Sequence, residues 1–205
     1  MLAYYDFINQ VFIAEMGARH PHDIRELCRL VHPTIGVLTS VGPQHLDTFK
    51  SLEAIRNTKY DLIRALPEDG LAVFANDDGI VTGLYDGTDK PDKILAGKEG
   101  ADAWADEISV DGSGSSFTLY LRGQEPIRCT TPLLGTHNIS NIVLAASLAI
   151  RLGVTGKQIQ AAVSGLKPAA HRMQIVTTAG GITVIDDAFN TNPVSSKRAL
   201  DVLKM

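Results

Sequence analysis

Long apolar runs, closely spaced cysteines and an excess of charge of either sign are all missing from this chain of 205 residues. No stretch approaches the roughly 20 apolar residues that a membrane-spanning helix needs. Nor does a basic segment lead into an apolar core at the N-terminus, as a secretory signal would require. The two cysteines, Cys28 and Cys129, are far apart and match no metal or redox spacing. Cys28 falls on a helical pattern with Ile24, Leu27 and Val31, so it reads as a small core residue. This usage predicts a reducing, cytoplasmic setting. A formal net charge of −4 gives no electrostatic reason to expect nucleic acid or an anionic membrane as a partner. The Gly-rich phosphate loop ending in Lys-Ser/Thr is absent, no nucleophile triad stands out, and no internal repeat is visible.

What is present is ordinary globular material, 44% hydrophobic and 20% charged, enough for one good core and the start of a second domain. Strand-like and helix-like segments alternate through the first hundred residues. Val11–Met16 is a short apolar run, and Pro21–Val31 has helical spacing, with Pro21 and Asp23 suited to a helix start. Thr34–Val41 reads as a second strand. Ser51 caps a helix that runs to about Leu66 and buries Leu52, Ile55, Leu62 and Leu66. Leu71–Asn76 and Lys93–Gly97 follow as strands. Such alternation predicts an α/β fold with a mostly parallel sheet flanked by helices.

The texture changes after Gly100. Ala105–Val110, Ser116–Arg122 and Pro126–Thr131 are strand-like and separated by Gly-containing turns, which predicts an antiparallel meander. An Ala-rich helix over Asn138–Leu152 and another from Thr155 to Leu166 come next. Gly181–Asp187 is a strand, and Pro193 can open a helix through Ser196, Ala199, Leu200 and Leu203. This last strand-helix unit either completes the first sheet or begins a second domain, because alone it cannot bury both strand faces.

Ligands in parallel sheets gather at the carboxyl ends of strands, and three polar clusters are expected there. Glu15 and His45 follow strands joined by one helix, which predicts that they sit side by side. They could hold a divalent ion such as Mg²⁺, or simply finish their loops. Lys59 falls in the buried stripe of its helix. Burial favours a neutral amine, which can take up carbon dioxide as an anionic carbamate; alternatively the stem packs and the head reaches water. Asn138 and Asn141 follow Gly135-Thr136-His137 at a helix start, where they could read a base edge, or where Thr136 or Asn138 could cap. Arg172, after His171, could grip a phosphate bidentately or pair with a surface carboxylate. Asp186, Asp187, Asn190, Asn192 and Pro193 form a dense polar loop that fits a site or a plain turn.

As an ordered set, these pieces resemble the Mur ligase family over almost the whole chain. The resemblance rests on Glu15-Met16-Gly17-Ala18, Gly42-Pro43-Gln44-His45-Leu46, Lys59, Gly135-Thr136-His137-Asn138 with Asn141, His171-Arg172, and Asp186-Asp187-Ala188-Phe189-Asn190-Thr191-Asn192-Pro193. It implies a ligase that makes an acyl phosphate from a carboxylate and ATP, which an amine then displaces to give an amide. Glu15 and His45 would be Mg²⁺ ligands, and Lys59 the lysine that becomes carbamylated to help place a second Mg²⁺. Asn141 would meet adenine, Arg172 a phosphate, Asp187 the nucleotide side, and Asn190 and Asn192 the loop that closes on it.

The pattern is most similar to the branch that adds D-alanyl-D-alanine to a UDP-N-acetylmuramoyl tripeptide, acting as a cytoplasmic monomer. Other amino-acid-adding branches, the folylpolyglutamate synthetases and a non-catalytic binding module of the same fold are the alternatives. Residues 1–170 are expected to be the family's central domain without its phosphate loop. Residues 171–205 would be the first strand-helix unit of a Rossmann-like C-terminal domain, so the chain resembles an incomplete ligase that is inactive alone. Phe189 stands where the family pattern usually has Tyr.

Overall fold

The computed structural model describes residues 2–6, 11–76, 79–189, 196–197 and 199–200. They fall into two compact units, Met1–Ala96 and Gly97–Met205.

In the first unit, β3 (Ile35–Leu38), β4 (Leu71–Ala75) and β5 (Lys93–Ala96) lie side by side and parallel, with Val37 opposite Val73 and Val73 opposite Ile94. All five residues of β4 are buried, the continuous apolar pattern expected of a strand covered on both faces. Helices α1 (Asp23–Val31), α2 (Leu46–Phe49), α3 (Leu52–Arg64) and α4 (Gly79–Asp86) supply the covering. Leu38, Phe49, Ile55, Ile63, Phe74 and Val81 belong to one core cluster, and each such side chain contributes roughly 1.5–3 kcal/mol by leaving water. Gly36 lets α3 sit close: a Cβ there would meet Leu62, Ile63 and Leu66 at 3.1–3.3 Å.

Ser51 caps α3 as the sequence predicts, its side chain accepting from the Ala54 N–H at 3.1 Å. The buried stripe keeps Ile55 and Leu66 of the expected set and loses Leu52. Ile55, Thr58, Asp61 and Ile63 are buried while Leu52 is 39% exposed, because α1 packs on α3 and draws Asp61 inward to Arg25 and Arg64, at 3.5 and 3.0 Å. Two guanidinium partners are what a buried carboxylate requires.

The first expected strand does not join the parallel set. β2 (Val11–Glu15) pairs antiparallel with β1 (Leu2–Asp6) in a separate two-stranded sheet. A partner a few residues away in sequence costs little loop entropy to reach, so the local hairpin forms.

The second unit opens with the meander β6 (Ala103–Asp111), β7 (Gly114–Leu121) and β8 (Ile127–Thr131), followed by α5 (Thr136–Arg151) and α6 (Gly156–Ser164). Phe117, Leu119 and Leu121 are buried at alternate positions of β7, as a strand with one apolar face should be. Gly114, at φ +144°, leaves no room for a Cβ against the Thr131 carbonyl. α6 starts in a capping box between Thr155 and Gln158. β9 (Gln174–Thr177) and β10 (Thr183–Asp186) then form their own antiparallel pair, so the last strand does not complete the first sheet. Ser196, Lys197, Ala199 and Leu200 are helical, within the helix read from Pro193.

Candidate functional site

In the first unit, β3 ends at Leu38, and the loop after it carries Ser40, Gly42-Pro43-Gln44 and His45. His45 is exposed and stands at the N-cap of α2 with φ 52°. Its carbonyl accepts from the Thr48 and Phe49 N–H groups, so the loop is fixed by its backbone while the imidazole is left to solvent. Lys59, half-buried on α3, donates from Nζ to the Ser40 carbonyl at 2.9 Å. The sequence places Lys59 in a buried stripe. The fold instead directs its head to the carboxyl end of β3, beside the loop that carries His45.

Glu15, the last residue of β2, is exposed. Because β2 belongs to a hairpin, it does not lie beside β3 in the parallel sheet, the arrangement from which the neighbouring placement of Glu15 and His45 was expected. Among the described residues, no three His, Cys, Asp or Glu side chains gather in a metal-binding arrangement.

The second unit holds a cleft of about 440 Å³ lined by Asn138, Asn141, Arg172 and Asp187, four candidates drawn from three separate stretches of sequence. Lys167 and His137 line it too. The volume lies within the roughly 300–1,000 Å³ of small-molecule sites. Leu134 and Met173, both buried, pack together in a small core cluster with the half-buried Ile185.

α5 begins at Gly135, at φ 88°, and no side chain caps it. The expected capping by Thr136 or Asn138 therefore does not occur. Gly adopts the left-handed backbone at the N-cap without strain, and the Asn138 amide turns back to donate to the Leu134 carbonyl at 2.8 Å. Asn141, one turn along, is exposed.

Arg172 sits between His171 and Met173, both left-handed at φ 59° and 49°, and its guanidinium lies over the Phe189 ring at 4.5 Å. Asp187 accepts from the Met173 N–H at 3.2 Å. Asp186 turns the other way, with Oδ2 at 2.7 Å from His171 Nδ1. The Asp186 carboxyl is held below the usual carboxylate range, first by His171 and then by the Ala188 N–H. Asn190 and Asn192 lie outside the described residues.

Sequence reasoning missed Lys167 and His137. His137 was visible within the Gly-Thr-His-Asn motif. Lys167 carried no signal beyond preceding a proline.

The first unit is built on a parallel sheet flanked by helices, and the second holds a cleft rimmed by two asparagines, two cations and an acid. Comparison with known proteins gives the family: the Mur ligase middle domain matches residues 6–149, and the chain belongs to the Mur ligases. It is 36% identical over 194 residues to the UDP-N-acetylmuramoyl-tripeptide--D-alanyl-D-alanine ligase of Mycobacterium tuberculosis, covering 93% of this chain and 38% of that protein. The enzyme of that name in Escherichia coli is 30% identical over 196 residues, covering 93% of this chain and 42% of that protein. Among solved structures, MurF from Acinetobacter baumannii superposes with a TM-score of 0.84 at 26% identity, covering 92% of this chain and 41% of that one. MurF of Thermotoga maritima in complex with ADP shares the fold, with a TM-score of 0.79 at 23% identity, over 92% of this chain and 43% of that one. The chain thus spans about two fifths of the length of these relatives.

Proposed function

We propose that this chain is the central portion, with the start of the C-terminal domain from about residue 171, of a cytoplasmic ATP-dependent ligase that joins D-alanyl-D-alanine to a UDP-N-acetylmuramoyl tripeptide. The observation that carries the reading is the meeting of Asn138, Asn141, Arg172 and Asp187 in one cleft. These residues suit a nucleotide. Amides can pair with a base edge, a guanidinium donates to phosphate oxygens in a fork geometry, and an acid can accept from ribose hydroxyls. The names of the relatives at 30–36% identity supply the substrates.

In this reading ATP phosphorylates the tripeptide carboxylate. The amino group of D-alanyl-D-alanine then attacks the acyl carbon, forming the amide bond and releasing phosphate. The chain's own contribution is to hold the nucleotide against Arg172 and the asparagines. No helix among the described residues is long and apolar enough to cross a membrane.

Glu15, His45 and Lys59 are proposed for the Mg²⁺ side. A carboxylate suits Mg²⁺ and a neutral imidazole still offers a lone pair, whereas an ammonium offers none, so Lys59 fits only as its carbamate. Bound Mg²⁺ would screen the negative charge of the phosphates. In the free chain Lys59 Nζ donates to the Ser40 carbonyl; carbamate formation removes two of the three ammonium protons and leaves one N–H that can keep this bond.

The test is ATP-dependent phosphate release with UDP-N-acetylmuramoyl tripeptide and D-alanyl-D-alanine, comparing this chain with the full-length gene product. The longer protein should turn over, and Lys59→Ala should abolish turnover. If the longer protein is inactive with these substrates, the branch is another one or the protein is a binding relative. ADP binding by the chain, weakened about ten-fold by Arg172→Ala, checks the cleft itself.

A further inference from the structure

The cleft of the second unit contains a cation that none of the motifs accounts for. Lys167 lies beyond the end of α6, past the Gly165 C-cap, and directly before Pro168. A residue preceding proline is confined to extended backbone, so the stem of Lys167 leaves the chain in a restricted direction, and that direction places it on the cleft wall with Arg172.

The charges there do not cancel. Lys167 has no ion-pair partner among the described residues, and neither does Arg172, whose guanidinium rests on the Phe189 ring. The acid lining the cleft, Asp187, is engaged by the Met173 N–H. Two cations therefore face one acid in a concave site. Field focusing in a cleft concentrates such an excess on whatever anion enters.

We propose that Lys167 is a further ligand-binding residue of this cleft and that, jointly with Arg172, it holds the phosphate end of a nucleotide. The inference rests on the nucleotide reading of the cleft and adds to it a residue and a division of labour. Arg172 offers a planar fork fixed by its stacking on Phe189. Lys167 offers a mobile point charge that can follow the phosphate chain. A nucleoside without phosphates should gain nothing from Lys167, which separates this role from one in folding or in base recognition.

The experiment is calorimetric titration of the chain with ADP and, separately, with adenosine, at low and at physiological salt. The proteins are wild type, Lys167→Met and Lys167→Arg, with circular dichroism as the check on fold. The expected result is that Lys167→Met weakens ADP about five-fold at low salt, leaves adenosine unchanged and flattens the salt dependence of ADP binding. Lys167→Arg should restore most of the ADP affinity. ADP binding by Lys167→Met equal to wild type, or an equal loss of ADP and adenosine, overturns the role of Lys167 while leaving the nucleotide cleft standing. Wild type that binds neither ligand overturns the nucleotide reading and the role of Lys167 with it.

Discussion

His171 Nδ1 lies 2.7 Å from Asp186 Oδ2, which ties the residue that precedes Arg172 to the last residue of β10. The Phe189 N–H donates to the His171 carbonyl at 3.2 Å, adding a second tie across the same gap. Arg172 and its aromatic partner are thus held from both ends by groups that do not line the cleft.

The first tie should be visible in a titration. Hydrogen bonds from His171 and then from Ala188 lower the Asp186 carboxyl below its ordinary value. A carboxyl depressed in the folded state contributes stability that is present above its unfolded value and lost as pH falls through its folded one. The Asp186 carboxyl carbon, followed by NMR, should therefore titrate below the ordinary aspartate range. His171→Ala should bring the midpoint back up; a midpoint that stays put would show that the imidazole is not the cause.

Phe189 supports Arg172 through its ring face, so the aromatic character matters more than a hydroxyl. Phe189→Ala should weaken ADP binding by about two- to five-fold, the worth of an exposed cation–π contact. Phe189→Tyr should bind as wild type does. Equal loss in both variants would argue that the ring does something other than carry the guanidinium.

The buried stripe on α3 gives losses of different size at Ile55 and Leu52. Ile55→Ala, at 1% exposure, should cost about 2–5 kcal/mol in denaturant unfolding. Leu52→Ala, at 39% exposure, should cost well under half of that. Similar losses at both sites would return Leu52 to the buried stripe expected from the sequence.

Removing the Ser51 or the Thr155 cap should each cost about 1 kcal/mol on substitution by Ala, read as a shift in unfolding midpoint. Ser51→Asp should be close to neutral, since a carboxylate accepts the same N–H and favours the helix start.

The sequence was most legible where local chemistry decides structure. Leu71–Asn76 announced a strand by its unbroken apolar run, which the fold covers on both faces, and Ser51 announced a helix by its side-chain oxygen. α4 was not read because Gly79 and Gly83 lower helix propensity over its eight residues, and packing of Val81 overrides that. The pairing of β2 was misjudged because an apolar run states that a strand exists, not which neighbour it takes. Of the site, Asn141, Arg172 and Asp187 were found as separate motifs, and only folding shows that they share a cleft. Lys167 lacked any motif; its position depends on where α6 ends and on Pro168.

The left-handed pair at His171 and Met173 carries a consequence for mutational robustness. Glycine at either position would relax the backbone, but His171→Gly gives up the contact with Asp186 and Met173→Gly empties a buried position packed on Leu134, so each change should lower the melting temperature. It would also loosen the hinge that aims Arg172. Screens for thermostability and screens for nucleotide affinity should therefore both retain the side chains at these two positions, despite their left-handed backbone.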